Sequence, residues 1–277
     1  KKMSGSKSHR SYVASHLLRV PRSGIRDFFD IVSTRKDVIS LGIGEPDFVT
    51  PWHIREASIF ALDHGATSYT ANLGLIELRR ALAAYVKKAF HASYSPETEI
   101  LITVGVSEAL DLAVRALVEP GDEILYHEPS YVSYAPVITF AGGIPVAVST
   151  RRENGFRLTR RALEENVTDH TKALILNFPT NPTGAVLSRK DVHDIARFAV
   201  EHDLVVITDE IYAELIYDGA EKISIASLLP HGHRSSYQDF DGTRRTLRAL
   251  RSSSNRNPVS QSFNGSVWVT TAPRSSA

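Results

Sequence analysis

The chain has 277 residues, 42% of them hydrophobic, which is enough for one large or two ordinary domains with a buried core. Lysine and arginine total 32 against 31 aspartates and glutamates, and a formal charge of +1 indicates neither a nucleic-acid partner nor an anionic membrane. Cysteine is absent, which excludes disulfides and thiolate chemistry and fits a reducing compartment. No apolar run approaches the ~18 residues of a membrane span. We therefore expect a cytoplasmic protein that binds a small molecule.

Short apolar runs alternate with amphipathic stretches from about residue 100 onwards. Each run is rich in Ile, Val and Leu, which is typical of a buried strand. The runs span residues 100–104, 123–127, 144–148, 173–178 and 204–208. A helical pattern spans residues 75–90, and Ser188 with Asp191 three residues later predicts a capping box at another helix start. The alternation predicts an α/β fold of three layers, with helices on both faces of a mostly parallel sheet.

Ligands of such sheets bind at the carboxyl ends of the strands, where several candidate residues lie. After the first run, Val106 and Ser107 begin a helical stretch whose free N–H groups could bind a phosphate, although the local pattern favours Ser107 as an ordinary N-cap. Tyr131 follows the second run, where its ring could stack on a flat ligand or simply pack as a surface or core tyrosine. Asn181 stands between two prolines, where its amide could bind a fixed ligand atom or only build a turn.

An aspartate and a tyrosine follow the run at residues 204–208. The carboxylate of Asp209 must find a cationic or N–H partner because burying it unpaired is unfavourable, and helix capping or an internal ion pair would serve as well as a ligand. Tyr212 lies three positions further on. The whole set would supply an anion site, a stacking ring, an amide, a carboxylate and a phenol. That set suits a flat, phosphorylated heteroaromatic cofactor, and pyridoxal phosphate matches it.

Six segments of the chain, in order, are similar to class I, fold-type I pyridoxal phosphate aminotransferases of the aspartate and aromatic branch. They are SLGIGEPDFVTP (40–51), YTANLGLIELRRALA (69–83), TVGVSEALDL (103–112), EPSYVSY (128–134), NPTGAVL (181–187) and TDEIYAELIYDG (208–219). The resemblance covers roughly residues 17–229. It implies an incomplete cofactor-binding large domain at residues 49–229, after an N-terminal arm and partial small domain at residues 1–48. The rest of the small domain is then largely missing.

The resemblance implies a role for each candidate at the cofactor ring. Asp209 would pair with the pyridine nitrogen of pyridoxal phosphate and keep it protonated, so that the ring accepts electrons from the substrate. Asn181 and Tyr212 would hydrogen-bond the phenolic oxygen of the ring, and Tyr131 would stack on its face. No metal site is implied.

Other positions imply contacts to the phosphate, the substrate and a second subunit. Val106 and Ser107 would bind the phosphate at the helix start, and Gly44 would lie close to the substrate carboxylate. Tyr69 matches a tyrosine that reaches the phosphate of the neighbouring subunit, which implies a homodimer with shared sites. The substrates would be an amino acid and a 2-oxo acid.

The chain departs from this pattern after Leu229. Residues 230–277 contain seven arginines, no lysine and two acidic residues, which is typical of a basic, weakly ordered tail with residues 266–271 as its one candidate strand. The family requires a lysine about 34 residues after the aspartate to form a Schiff base with the cofactor, and that position falls near Thr243. The last lysine is Lys222. We therefore expect a truncated or frameshifted aminotransferase that is inactive as written, because the general base is also lost.

The tail lacks further parts of the pattern. The glycine-rich stretch and the arginines that the family uses for the phosphate and the substrate carboxylate have no match there. In the family's sheet order, two strands expected after Leu229 lie between the first and the last strand predicted here. Their absence would leave two unpaired edges unless residues 266–271 partly fill the gap.

Two other functions stay open. A noncatalytic pseudoenzyme could bind pyridoxal phosphate or an amino acid through the same residues. A carbon–sulfur lyase or a relative of the aminocyclopropanecarboxylate synthases would share most of the motifs. The products formed from a panel of substrates would separate these enzymes from an aminotransferase.

Overall fold

A computed structural model of the chain describes residues 12, 14–20, 48–228, 248–251 and 266–271. The chain divides into two compact units, Lys1–Glu45 and Pro46–Ala277. Within the first unit the described residues include a short 3₁₀-helix, Ser15–Arg19. In the described part of the chain, no helix is both long enough and apolar enough to cross a membrane.

The second unit alternates helices and strands along most of its described length. The helices are α1 (Trp52–Asp63), α2 (Ile76–Phe90), α3 (Gly105–Leu117), α4 (Tyr134–Phe140), α5 (Arg160–Glu164) and α6 (Arg189–Glu201). The strands are β1 (Leu101–Thr103), β2 (Glu123–Glu128), β3 (Ile144–Ser149), β4 (Thr171–Asn177), β5 (Val205–Asp209), β6 (Arg248–Arg251) and β7 (Ser266–Thr271). Short 3₁₀-helices occur at Arg152–Asn154 and Ile225–Ser227. The first five strands and α2 are confirmed close to the bounds that the sequence predicts.

The described strands form one sheet in the order β1-β6-β7-β5-β4-β2-β3. Neighbours among β5, β4, β2 and β3 run parallel, as do β1 and β6, whereas β7 is antiparallel to both β6 and β5. The sheet is thus mostly parallel, as predicted. Because parallel strands end at the same edge, the loops that follow β2, β4 and β5 emerge together.

The two strands of the tail fill the gap between β1 and β5. β7 pairs with the whole of β5, from Val205 opposite Thr271 to Asp209 opposite Val267, which confirms the strand predicted at residues 266–271. The sequence does not predict β6, because a four-residue run with arginine at both ends shows no sustained alternation. Its backbone pairs with β1, so the edges of β1 and β5 that face this gap are both covered.

Hydrophobic clusters cover both faces of the sheet, which confirms the predicted three layers. On one face, α3 and α4 pack against β5 through Ala113, Tyr134 and Ile207. On the other face, α6 packs against β5 through Phe198 and Val206. Val206 and Ile207 enter opposite clusters because side chains alternate along a strand. Each fully buried large apolar side chain stabilises this arrangement by about 1.5–3 kcal/mol.

The predicted capping box begins α6. Ser188 Oγ accepts a hydrogen bond from Asp191 N–H at 3.2 Å, and Asp191 Oδ2 accepts one from Ser188 N–H at 3.0 Å. Arg157 also donates to both carboxylate oxygens of Asp191, at 3.0 and 2.5 Å. Burial acts to raise the pKa of Asp191, but the hydrogen bonds from Arg157 and Ser188 outweigh it and lower the pKa. The helix after the loop that carries Asn181 therefore begins at a fixed point.

Candidate active site

Asp209 ends β5 as a buried carboxyl without a cationic partner among the described residues; the residue is 4% exposed. Its Oδ2 accepts a hydrogen bond from Tyr134 Oη at 2.9 Å, and its Oδ1 accepts one from Ile211 N–H at 3.2 Å. Burial raises the pKa of Asp209 to about 6, although both hydrogen bonds favour the charged form. In the described part of the chain it neither caps a helix nor joins an ion pair, so both structural alternatives from the sequence are wrong there.

A cationic group on a ligand would compensate for this burial. A carboxylate has about four lone-pair sites, so the two protein donors leave room for a further hydrogen bond. A nearby positive N–H would favour the ionised carboxylate and lower its pKa. Asp209 is therefore suited to a protonated ring nitrogen.

Asn181 and Tyr212 come together from the loops after β4 and β5. Asn181 Nδ2 donates to Tyr212 Oη at 3.2 Å, and both residues are half-buried. Tyr212 accepts this bond and keeps its own hydrogen to donate, while the Asn181 amide has a second N–H. Asn177 pairs with Asp209 at the ends of β4 and β5, so these loops begin beside the Asp209 carboxyl. Two donors can thus bind one acceptor atom of a ligand at this edge.

Tyr131 is connected to Asp209 through the ring of Tyr134. Its ring packs edge to face against Tyr134, with centroids 5.7 Å apart and ring planes at 81°. Tyr134 is fully buried and donates the hydrogen bond to Asp209. Tyr131 itself is half-buried against the cluster under α3 and α4. The structure thus connects the predicted stacking ring to the predicted carboxylate through Tyr134, a residue with no predicted role.

The N-terminus of α3 presents free backbone donors. The helix begins at Gly105, whose φ of +83° suits glycine, and Val104 is the N-cap. Ser107 is the third helical residue, so its interpretation as an ordinary N-cap is wrong. It is exposed, and its hydroxyl has no hydrogen-bond partner among the described residues. The Glu108 carboxylate binds the N–H of Val104, which leaves those of Val106 and Ser107 at the positive end of the helix dipole, where an anion can bind.

Two other predicted contacts are not brought into this group. Tyr69 is fully exposed and, within the part of the chain described, makes no hydrogen bond or ring contact with the other candidates. Gly44 lies outside the described residues. The roles implied for both stay predictions.

A second buried carboxyl, that of Glu210, directly follows β5 and lies on the side of the sheet opposite to the Asp209 carboxyl. Its Oε1 accepts hydrogen bonds from Ser224 Oγ and Thr208 Oγ1, and its Oε2 has no partner among the described residues. Burial raises the pKa of Glu210 to about 8. Together with Thr208 and Ile225 it lines a cavity of about 40 Å³ on the α6 side of the sheet. That volume admits only a few water molecules, so the strand-end edge and not this cavity is the candidate ligand site.

Known proteins share this arrangement of strands and motifs. The model of the family described as "Aminotransferase class I and II" matches residues 36–239. An aspartate aminotransferase of Pyrococcus abyssi is 52% identical over 206 residues, which cover 74% of this chain and 53% of that protein. The aromatic-amino-acid aminotransferase 2 of Thermococcus litoralis is 48% identical over 216 residues, covering 78% of this chain and 56% of that protein.

A solved structure agrees with these matches. The aspartate aminotransferase of Thermus thermophilus with maleate aligns with a TM-score of 0.78 at 32% identity, over 94% of this chain and 65% of that one. The chain spans about half the length of the curated relatives that it matches.

Replacing Glu210, the buried acid on the α6 side of the sheet, should reduce the pH dependence of the free energy of unfolding. Between pH 6 and 8, Glu210 is ionised in the unfolded chain and protonated in the folded protein, whose Glu210 pKa is about 8. The folded state binds the extra proton, so the free energy of unfolding of the wild type should fall as pH rises through this window. Glu210→Gln should remove most of that fall, about 1.4 kcal/mol per pH unit. Urea denaturation at each pH measures the slope, and an unchanged slope would contradict this account.

Removing the phenol that donates to Asp209 should raise the pKa of Asp209 further. Tyr134→Phe deletes the hydrogen bond to Oδ2, which favours the ionised carboxylate. NMR titration of ¹³C-labelled aspartate carboxyls would follow the change. Tyr126→Phe is the matched control, because Tyr126 Oη donates at 2.8 Å to a different carboxylate, that of Glu128. An Asp209 titration that moves equally in both variants would show that the Tyr134 hydrogen bond is not the cause.

Proposed function

Since this chain belongs to the class I and II aminotransferase family, we propose that it binds pyridoxal phosphate at the carboxyl ends of β2, β4 and β5. Members of this family depend on pyridoxal phosphate. The intact protein would exchange amino groups between an amino acid and a 2-oxo acid. The main support for this proposal is the buried Asp209 carboxyl, which has no cation among the described residues. Asp209 ends β5 beside the loops that carry the hydrogen-bond donors Asn181 and Tyr212.

The donors fit the cofactor group by group. Asp209 would accept a hydrogen bond from the ring nitrogen and keep that nitrogen protonated, while Asn181 and Tyr212 would donate to the phenolic oxygen. The N–H groups of Val106 and Ser107, with the Ser107 hydroxyl, would bind the phosphate. When bound, pyridoxal phosphate supplies the electron sink for bond cleavage at the substrate α-carbon.

Tyr131 would limit the movement of the ring by stacking on it. The Tyr134 ring supports Tyr131 from the core side and orients the Asp209 carboxylate through its hydroxyl. A ring bound between Tyr131 and these polar groups would have both its tilt and its in-plane orientation restricted. Such restriction is what converts binding into productive alignment at the α-carbon.

The chain as written would bind the cofactor without the covalent link that a lysine provides. The family position near Thr243 lies outside the described residues, and no lysine follows Lys222 in the sequence. Lys222 Nζ pairs with Glu214 and lies 4.6 Å from the ring centroid of Phe90, which supports its exclusion as a replacement. Binding without turnover, which the sequence leaves open as an alternative, is therefore the function we assign to this chain as written.

The substrate is assigned as a class only. The relatives carry the names of aspartate and aromatic-amino-acid aminotransferases, and these names differ in the substrate that they state. No described contact favours the carbon–sulfur lyase alternative.

A second copy of the chain is part of the proposal. Helix α1 exposes four large apolar side chains, Trp52, Ile59, Phe60 and Leu62, and the Tyr69 ring nearby in sequence is fully exposed. Apolar side chains concentrated on one helix typically mark a contact surface. A homodimer would cover them and would bring Tyr69 toward the partner's phosphate site.

The absence of cysteine supports a reducing compartment such as the cytoplasm.

Binding of pyridoxamine phosphate tests the cofactor assignment. This ligand keeps the ring nitrogen, the phenol and the phosphate but has no aldehyde, so surface lysines cannot capture it covalently. Asp209→Asn should weaken its binding at least about tenfold, since a lost charge-assisted hydrogen bond contributes 1.5–3 kcal/mol. Isothermal calorimetry at constant pH measures the dissociation constant.

Glu210→Gln is the matched control for that experiment. It is the same chemical change one residue along, on the opposite face of β5 and outside the proposed site. The control should bind pyridoxamine phosphate as the wild type does. Equal affinity of Asp209→Asn and the wild type would refute the assignment of the ring nitrogen to Asp209.

Assays of turnover test the proposed inactivity. With pyridoxal phosphate, aspartate or an aromatic amino acid and a 2-oxo acid, transamination should be negligible, because loss of the general base alone lowers rates about 10²–10⁴-fold. The formation of the new amino acid is measured by chromatography, with Asp209→Asn as the background. Transamination that this substitution abolishes would contradict the proposed inactivity. Elimination products without amino transfer would favour the lyase alternative.

A further inference from the structure

Asn177 links two of the proposed cofactor-binding residues through one buried amide. It is the last residue of β4 and is 1% exposed. Its Nδ2 donates to the backbone carbonyl of Asp209 at 2.9 Å. Its Oδ1 accepts a hydrogen bond from the backbone N–H of Asn181 at 3.1 Å. The side chain therefore joins the end of β5 to the loop that follows β4.

The backbone of Asn177 also makes two hydrogen bonds, one through its N–H and one through its carbonyl. Its N–H donates to His127 Nε2 at 3.2 Å, and its carbonyl accepts a hydrogen bond from Thr180 Oγ1 at 2.5 Å. His127 is 1% exposed, and its Nδ1 faces the carbonyl of Pro129 at 3.2 Å. These partners assign a neutral imidazole with its proton on Nδ1. Burial also lowers the pKa of His127 to about 4, which keeps it neutral at physiological pH.

The resulting network spans the three loops of the proposed site. It runs from Pro129, two residues before Tyr131, through His127 to Asn177, and from there to Asp209 and to Asn181. The amide of Asn177 can satisfy both ends only in one orientation, with its nitrogen toward a carbonyl and its oxygen toward an N–H. A residue with two acceptors or two apolar ends could not replace it.

We propose that Asn177 is a positioning residue that sets the separation between the Asp209 carboxylate and the Asn181–Tyr212 donor pair, and that His127 fixes Asn177 in turn. The inference rests on the proposed function, in which these groups bind the nitrogen and the phenolic oxygen of one rigid pyridine ring. The two atoms of such a ring have a fixed separation, so the protein groups must match it. In enzymes, a misplacement of about 1 Å can lower the reaction rate about 10²-fold.

The variant that tests this is Asn177→Asp. It keeps an acceptor for the Asn181 N–H and places an oxygen against the Asp209 carbonyl, where the amide nitrogen donates in the wild type. Affinity for pyridoxamine phosphate should fall about 10–100-fold, because misplaced protein groups would lose a hydrogen bond to the charged ring. The bound ring phenol should also titrate at a higher pH, followed by its absorbance, because the donors from Asn181 and Tyr212 would no longer stabilise the phenolate.

Asn166→Asp is the matched control. Asn166 Nδ2 also donates to a backbone carbonyl, that of Ala162, at 2.8 Å, but it follows α5 on the other face of the sheet. This variant should leave both the affinity and the phenol titration unchanged. A purely structural role of Asn177 would lower the thermal stability of Asn177→Asp without moving the phenol titration.

A milder variant covers the case in which Asn177→Asp fails to fold. His127→Asn keeps a donor toward the Pro129 carbonyl but removes the acceptor of the Asn177 N–H. It should shift the affinity and the phenol titration in the same direction by a smaller factor. If both variants bind and titrate as the wild type does, the positioning role is refuted.

Failure of the proposed function has a different signature. If wild-type protein does not bind pyridoxamine phosphate, the cofactor assignment itself is wrong. If wild-type protein binds and Asp209→Asn does not, while Asn177→Asp and His127→Asn behave as wild type, only the positioning role is wrong.

Discussion

Burial of the Asp209 carboxyl at the end of β5 is the constraint on which the candidate site depends. A 4% exposed carboxyl with no cation among the described residues is unfavourable when ionised, and two hydrogen bonds offset this only in part. A protonated ring nitrogen would supply the missing charge at that point. The unfavourable electrostatics of the free site would therefore also favour a cationic heterocycle, as we propose.

The sheet brings further polar and aromatic side chains close to Asp209 and so forms the candidate site. Parallel pairing of β2, β4 and β5 brings three loops to one edge, and each loop contributes a different chemical group: a ring from Tyr131, an amide from Asn181 and a phenol from Tyr212. The pairing of β7 with β5 also matters, because it places β5 inside the sheet and so keeps Asp209 away from an exposed edge. The tail thus contributes backbone pairing even though its sequence lacks the family's motifs.

Much of the fold could be predicted because its strands are short, apolar and separated by helical patterns. The meeting of Asn181 with Tyr212 also follows from the rule that ligand-binding residues gather at the carboxyl ends of parallel strands. Asn177 could not be found in this way, because an amide at a strand end gives no signal until the β4–β5 register places it opposite Asp209. Tyr134 gives no signal in the sequence either, because its contact with Asp209 depends on how α4 packs against β5. The N-cap assigned to Ser107 was wrong because Gly105, with positive φ, begins the helix two residues earlier.

The protonation state of the bound ring nitrogen shows whether Asp209 supplies the negative charge that the ring requires. Pyridoxamine phosphate labelled with ¹⁵N in the ring would be bound to the wild-type protein, and the nitrogen chemical shift would be followed by NMR as the pH is raised above the value at which the free ligand loses its proton. We expect the nitrogen to stay protonated in the wild type and to lose its proton in Asp209→Asn. A bound nitrogen that titrates in the wild type as it does in free solution would show that Asp209 does not hold the ring proton.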